Sequence, residues 1–167
     1  MSSRTAACLA SLTFALLAPA LGCINTDTAV FVDPSLGDAT AAFTSSPFGG
    51  GSVTGGTVTL TLHLGARASG SSQVTLGELS ILDAEKKGSL VSPLDATPSK
   101  PFPVTVEPDS DVDVVLDFTS GKAVLSDDVK AKLCDPAGIV VGGTIEDSLV
   151  EGTHTPVYSP VFHLSGC

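Results

Sequence analysis

Thr57-Val58-Thr59-Leu60-Thr61-Leu62-His63-Leu64 alternates strictly between polar and apolar side chains. Successive residues of a β-strand point to opposite faces, so Val58, Leu60, Leu62 and Leu64 share one face, and Thr57, Thr59, Thr61 and His63 the other. The pattern predicts a half-buried strand with β-branched threonines toward water. A second stretch, Asp111-Val112-Asp113-Val114-Val115-Leu116-Asp117-Phe118, follows the same rule. Here Val112, Val114, Leu116 and Phe118 turn inward, while Asp111, Asp113 and Asp117 face solvent.

Working outward, the period of two recurs. Phe102, Val104 and Val106 predict a shorter strand, joined to the aspartate-rich one by a turn at Pro108-Asp109-Ser110. Val74 and Leu76 have one parity and Leu79 and Ile81 the other, which places a β-bulge at Gly77-Glu78. Ile139, Val141 and Ile145 read as a further strand, with Gly142-Gly143 permitting a bend or a close backbone approach. A last strand is expected over 157–164, interrupted by Pro160 and therefore at a sheet edge. Residues 29–32 and 39–45 are additional strand candidates. Gly49-Gly50-Gly51-Ser52-Val53-Thr54-Gly55-Gly56 lacks the lysine of a phosphate loop and precedes a strand, so it reads as a flexible hairpin connection. Only 126–133 looks helical, with Ser126 as cap, Asp127 and Asp128 in the first turn, Lys130 and Lys132 in the last, and Asp135-Pro136 beyond it.

Many short strands separated by Gly, Pro and Ser turns predict an all-β fold, an immunoglobulin-like antiparallel β-sandwich with one short helix in a loop. The stretch from Val104 to Phe118 resembles the V-x-P-G-S-x-V-x-V-x-F hairpin of bacterial immunoglobulin-like domains, with Asp109 where that pattern has Gly.

The N-terminus reads as an export signal. Arg4 supplies the charge, and an apolar run from Ala6 to Leu17 follows that is too short to span a bilayer. Two processing routes are open. Ala18-Pro19-Ala20 is an A-x-A site whose cleavage releases a soluble protein beginning at Leu21. Alternatively, Ala20-Leu21-Gly22-Cys23 resembles the lipobox of bacterial lipoproteins, with the Leu and the small residue of that pattern exchanged. The resemblance implies acylation of Cys23. With Ile24 rather than Asp next in the chain, it also implies sorting to the outer membrane.

Cysteine parity favours the lipid. Of the four cysteines, Cys8 leaves with the signal, and Cys23, Cys134 and Cys167 remain. An odd thiol in an oxidising compartment needs a use. Acylating Cys23 leaves Cys134 and Cys167 as a disulfide pair that pins the chain end. The organisation expected is a signal peptide over 1–22, a lipid-anchored tether with a possible first strand over 23–38, and the β-sandwich over 39–167. The roughly 145 residues after the signal suit one domain with one core.

Composition removes several function classes. Once Arg4 of the eight basic residues is gone, seven face eighteen acidic ones. Such a surface repels phosphate backbones, so nucleic acid is excluded as a partner. With no Trp, and Tyr158 alone among tyrosines, there is no aromatic platform for stacking bases or sugars. Partners are instead the membrane, through the N-terminal lipid, and an envelope protein.

No Gly-x-Ser-x-Gly elbow occurs and no cofactor is implied. The histidines, His63, His154 and His163, lack the close spacing of zinc ligands. No metal site is assigned. The calcium candidates are Asp109, Asp111 and Asp113, which alternate along one strand face, but EF-hand spacing fails at Val114 and Ser120. Alternating aspartates stand about 6–7 Å apart, and a solvated face that discourages edge pairing explains them as well. The expected function is therefore a non-catalytic envelope module that binds or supports another component. The alternatives are a small hydrolase or metal-dependent enzyme, in which two histidines meet a carboxylate, and a calcium-dependent binding module.

Overall fold

The protein is described from a computed structural model covering residues 29–45, 52–121 and 124–167. Along the chain, β1 (Asp33–Leu36), β2 (Thr40–Ser45), β3 (Ser52–Leu64), β4 (Ser72–Leu76), β5 (Ser80–Asp83) and β6 (Ser89–Val91) come first. They are followed by β7 (Asp95–Pro98), β8 (Val104–Val106), β9 (Ser110–Thr119), the helix α1 (Asp127–Leu133), β10 (Ile139–Asp147) and β11 (His154–Tyr158).

The two alternating stretches lie side by side. β3 and β9 pair antiparallel from Gly55 opposite Thr119 to Leu64 opposite Ser110. Their inward residues, Val58, Leu60, Leu62, Leu64, Val114 and Leu116, are buried at the centre of the core. On the outer face the polar residues pair as well, Thr61 Oγ1 donating to Asp113 Oδ1 at 2.7 Å. β1 and β2 flank β3, and β7 flanks β9, which completes the first sheet.

In the second sheet β10 lies between β11 and the β4–β5 run, with β8 and β6 outside that run. Leu76 faces Ile145 and Ser80 faces Gly142, so four steps on one strand oppose three on the other. That one-residue excess is the bulge expected at Gly77-Glu78, and it lets both Val74 and Ile81 turn inward and be buried. β1 and β2 repeat the device. Leu36 faces Leu60 and Thr40 faces Thr57, again four steps against three, with Gly37 N donating to Thr59 O at 2.8 Å.

The molecule is thus an all-β antiparallel sandwich with one short helix in a connection. Its two ends differ. At the N-terminal end are Val32, the turn 107–109, and the loops 65–71 and 148–153. The disulfide end carries α1, capped by Ser126 Oγ accepting from Val129 N at 3.3 Å, with Leu133 buried. There Cys134 and Cys167 are disulfide-bonded, their Cα atoms 5.6 Å apart. The thirteen residues of β3 span the sandwich, about 40 Å at strand rise.

Several expectations are corrected. Residues 29–32 are not a strand; the first strand within 23–38 is β1, at Asp33–Leu36. The glycine-rich stretch is not wholly a connection, because Ser52 to Gly56 already belong to β3 and pair with β2. The last strand ends earlier than expected, at Tyr158. Pro160 has no N–H to continue the ladder. Beyond it only single bridges remain, Phe162 to Ile139 and Ser165 to Ala42. β11 does lie at an edge, pairing among the described residues with β10 alone. At Gly142 side chains, not another backbone, make the close approach: a Cβ there would stand 2.7 Å from Leu82 Cδ1 and 3.0 Å from the Tyr158 ring.

Candidate functional site

At the N-terminal end β10 finishes on a buried acid. Asp147 is 9% exposed and its carboxylate gathers three donors. Val32 N donates to Oδ2 at 2.7 Å, Leu149 N to Oδ1 at 2.8 Å, and the buried Ser72 hydroxyl also to Oδ1. The next residue continues the clasp, Ser148 Oγ accepting from Gln73 N at 2.8 Å. One side chain therefore joins the segment leading into β1, the start of β4 and the β10–β11 hairpin. Hydrogen bonds to a carboxylate are stronger than neutral ones, and leaving a buried donor unpaired adds a further cost. Replacing Asp147 by Asn is expected to cost about 2 kcal/mol, because an amide N–H₂ must then oppose one of the donors. Denaturant unfolding measures that loss. Hydrogen exchange should show the Val32 amide losing protection before the strands of the core, and unchanged protection at Val32 would refute the assignment.

Beside this clasp, on the outer face of the second sheet, the loop 148–153 overhangs a cleft of about 500 Å³. Gln73, Thr75, Pro103, Glu146, Glu151 and His154 line it. The strand register explains the arrangement, since Thr75, Glu146 and His154 face one another across β4, β10 and β11. Their side chains form a polar row. Thr75 Oγ1 donates to Glu146 Oε2 at 3.4 Å, and Glu146 Oε1 lies 3.1 Å from His154 Nδ1. Alongside, Gln73 Nε2 donates to Thr105 Oγ1 at 2.7 Å. Glu146 and His154 are both more than half exposed, so water screens the pair and it adds little to stability. Chemically this is a shallow surface offering acceptors from two glutamates, a hydroxyl and an imidazole.

Of the residues singled out from sequence, His154 lines the cleft and the others fall elsewhere. Asp111 and Asp113 sit on the outer face of β9, where Asp111 Oδ1 meets His63 Nδ1 at 2.7 Å and Asp113 accepts from Thr61. Each aspartate faces its own partner on β3 rather than a common centre. Asp109 occupies the turn at φ 61°, the left-handed position where the related hairpin pattern has Gly. Among the described residues, no three His, Cys, Asp or Glu side chains group so as to hold a metal ion. The histidines do not meet. His63 lies on the outer face of the first sheet, His154 in the cleft of the second, and His163 beside Gly138 at the disulfide end. Cys134 and Cys167 are brought together as expected. Cys23, the export signal and its cleavage sites lie outside the described residues.

Sequence reading missed Asp147, although one signal was present. Along β10 the inward parity runs through Ile139, Val141, Ile145 and then Asp147, a charged residue in a core position. The cleft had no comparable signal, because Thr75 and Glu146 are ordinary outward residues until register places them together.

Fold and cleft together define an antiparallel β-sandwich with a shallow recess at one end. In comparison with known protein families, characterised proteins and solved structures, the chain matches none.

Proposed function

We propose that the chain is an exported protein, anchored through a lipid on Cys23, that acts in the cell envelope as a non-catalytic binding or structural module. The observation that carries this reading is the Cys134–Cys167 bond. It uses both cysteines of the domain, and Cys8 departs with the signal. Cys23 is left as the one cysteine needing a chemical use, inside a sequence that resembles a lipobox. The non-catalytic part of the reading rests on the dispersal of the histidines over separate faces and on the lack of a nucleophile motif. An envelope protein is the partner class that suits a tethered sandwich.

Intact mass of the protein extracted from its own membranes, with and without reductant, tests the proposal. Acylation at Cys23 and a gain of two hydrogen atoms on reduction are expected. A mass beginning at Leu21 without acyl chains would replace the anchored module by a soluble secreted one.

A further inference from the structure

Resting on the anchored reading above, a further question is how the sandwich stands on its membrane. Val30 and Phe31 are large apolar residues, 43% and 49% exposed, at the point where the chain enters the fold. The next residue is fixed: Val32 is buried, its N–H is held by Asp147, and β1 begins directly after it. Val30 and Phe31 therefore lie next to an anchored entry point. Seven peptide steps lead from Cys23 to Val30, a reach of at most about 25 Å even when fully extended. The sandwich is longer than that, about 40 Å along β3. An acylated Cys23 thus keeps the N-terminal end near the bilayer, whereas the disulfide end lies beyond what the tether spans.

We infer that Val30 and Phe31 contact the lipid surface itself, at headgroup depth, and that the domain stands with α1 and the disulfide outermost. Charge narrows the lipid. Glu107, Asp109, Asp111 and Glu151 surround the same end, with Arg67 in the loop 65–71 as a cation among them. Such a rim is repelled by anionic headgroups, so a zwitterionic surface is the one on which the contact is tested.

The chain has no tryptophan, so a single introduced indole reports one position alone. The acylated protein carrying Phe31→Trp is reconstituted in phosphatidylcholine vesicles with brominated acyl chains. Val30→Trp serves as a second reporter, and Val124→Trp, at a residue 53% exposed near the disulfide end, as the distant one. The Phe31 and Val30 reporters are expected to shift to the blue and lose at least about half of their emission, apolar groups being buried at the headgroup–acyl boundary, with the Val124 reporter unchanged. Retained emission at both proximal positions, in protein whose mass proves acylation, would overturn the lipid contact and leave the anchor standing. A blue shift that follows protein concentration instead of brominated lipid would assign the patch to a second copy and overturn it too. A mass beginning at Leu21 would remove the anchor and this inference together.

Discussion

Replacing Gly56 by alanine is expected to lower unfolding free energy by about 3 kcal/mol or more, the upper range for overpacking a filled site. Gly56 lies in β3, opposite Ala41 on one side and Phe118 on the other. A Cβ at this position would overlap the carbonyl oxygen of Thr40 and stand 2.7 Å from Ala41 Cα. Those are main-chain atoms, which cannot rotate aside as a flexible side chain does. Relief requires β2 to move off β3, at the place where the β1–β2 bulge has already brought the two backbones close. Gly70→Ala is the matched control, since a Cβ there meets nothing within 4 Å. Denaturant midpoints of the two variants, with unchanged slopes, decide the matter. If Gly56→Ala is as stable as Gly70→Ala, the close approach of β2 is wrong.

The second large effect is at the other end of the chain. Changing Cys134 and Cys167 together to serine is expected to remove about 3–4 kcal/mol, the chain-entropy value for a loop of this length. The sequence separation of the pair is 33. What the bond holds is a segment with few other ties. Phe162 exchanges two hydrogen bonds with Ile139 of the second sheet, each 3.0 Å, and Ser165 N donates to Ala41 O of the first sheet at 2.9 Å. The last residues thus cross from one sheet to the other, and the disulfide fastens them to the end of α1. In the double-serine protein the Ser165 amide should lose exchange protection ahead of the core strands. Stability equal to the parent's would show that the bridges alone hold the chain end.

Much of the architecture was legible because strand alternation is a local property. The parity of Val58 to Leu64 and of Val112 to Phe118 predicted which side chains would turn inward, and β3 and β9 bury all of them except Val112, which is half-buried. The parity switch after Leu76 located a bulge, and the Ser126 cap located a helix, each from a few consecutive residues. β6 and β7 escaped notice. Ser89–Val91 and Asp95–Pro98 are too short to show a period, and they are strands because neighbours present edges for them to join. The end of the last strand was misjudged for the opposite reason. Apolar residues continue past Pro160, while the hydrogen-bond ladder does not.

By itself, then, the sequence determined the all-β class, the inward faces of the two long strands, the position of one bulge and the helix cap. Each follows from side-chain chemistry repeated at short spacing along one segment. Tertiary structure decided which strands became neighbours, and with that everything at the candidate site. Register across β4, β10 and β11 placed Thr75, Glu146 and His154 in one row. The meeting of the N-terminal segment with β4 and β10 buried Asp147 among three donors. Asp147 and Val32 stand 115 residues apart, and no local pattern encodes that contact. It forms because a buried carboxylate and orphan backbone donors satisfy one another when the two sheets close.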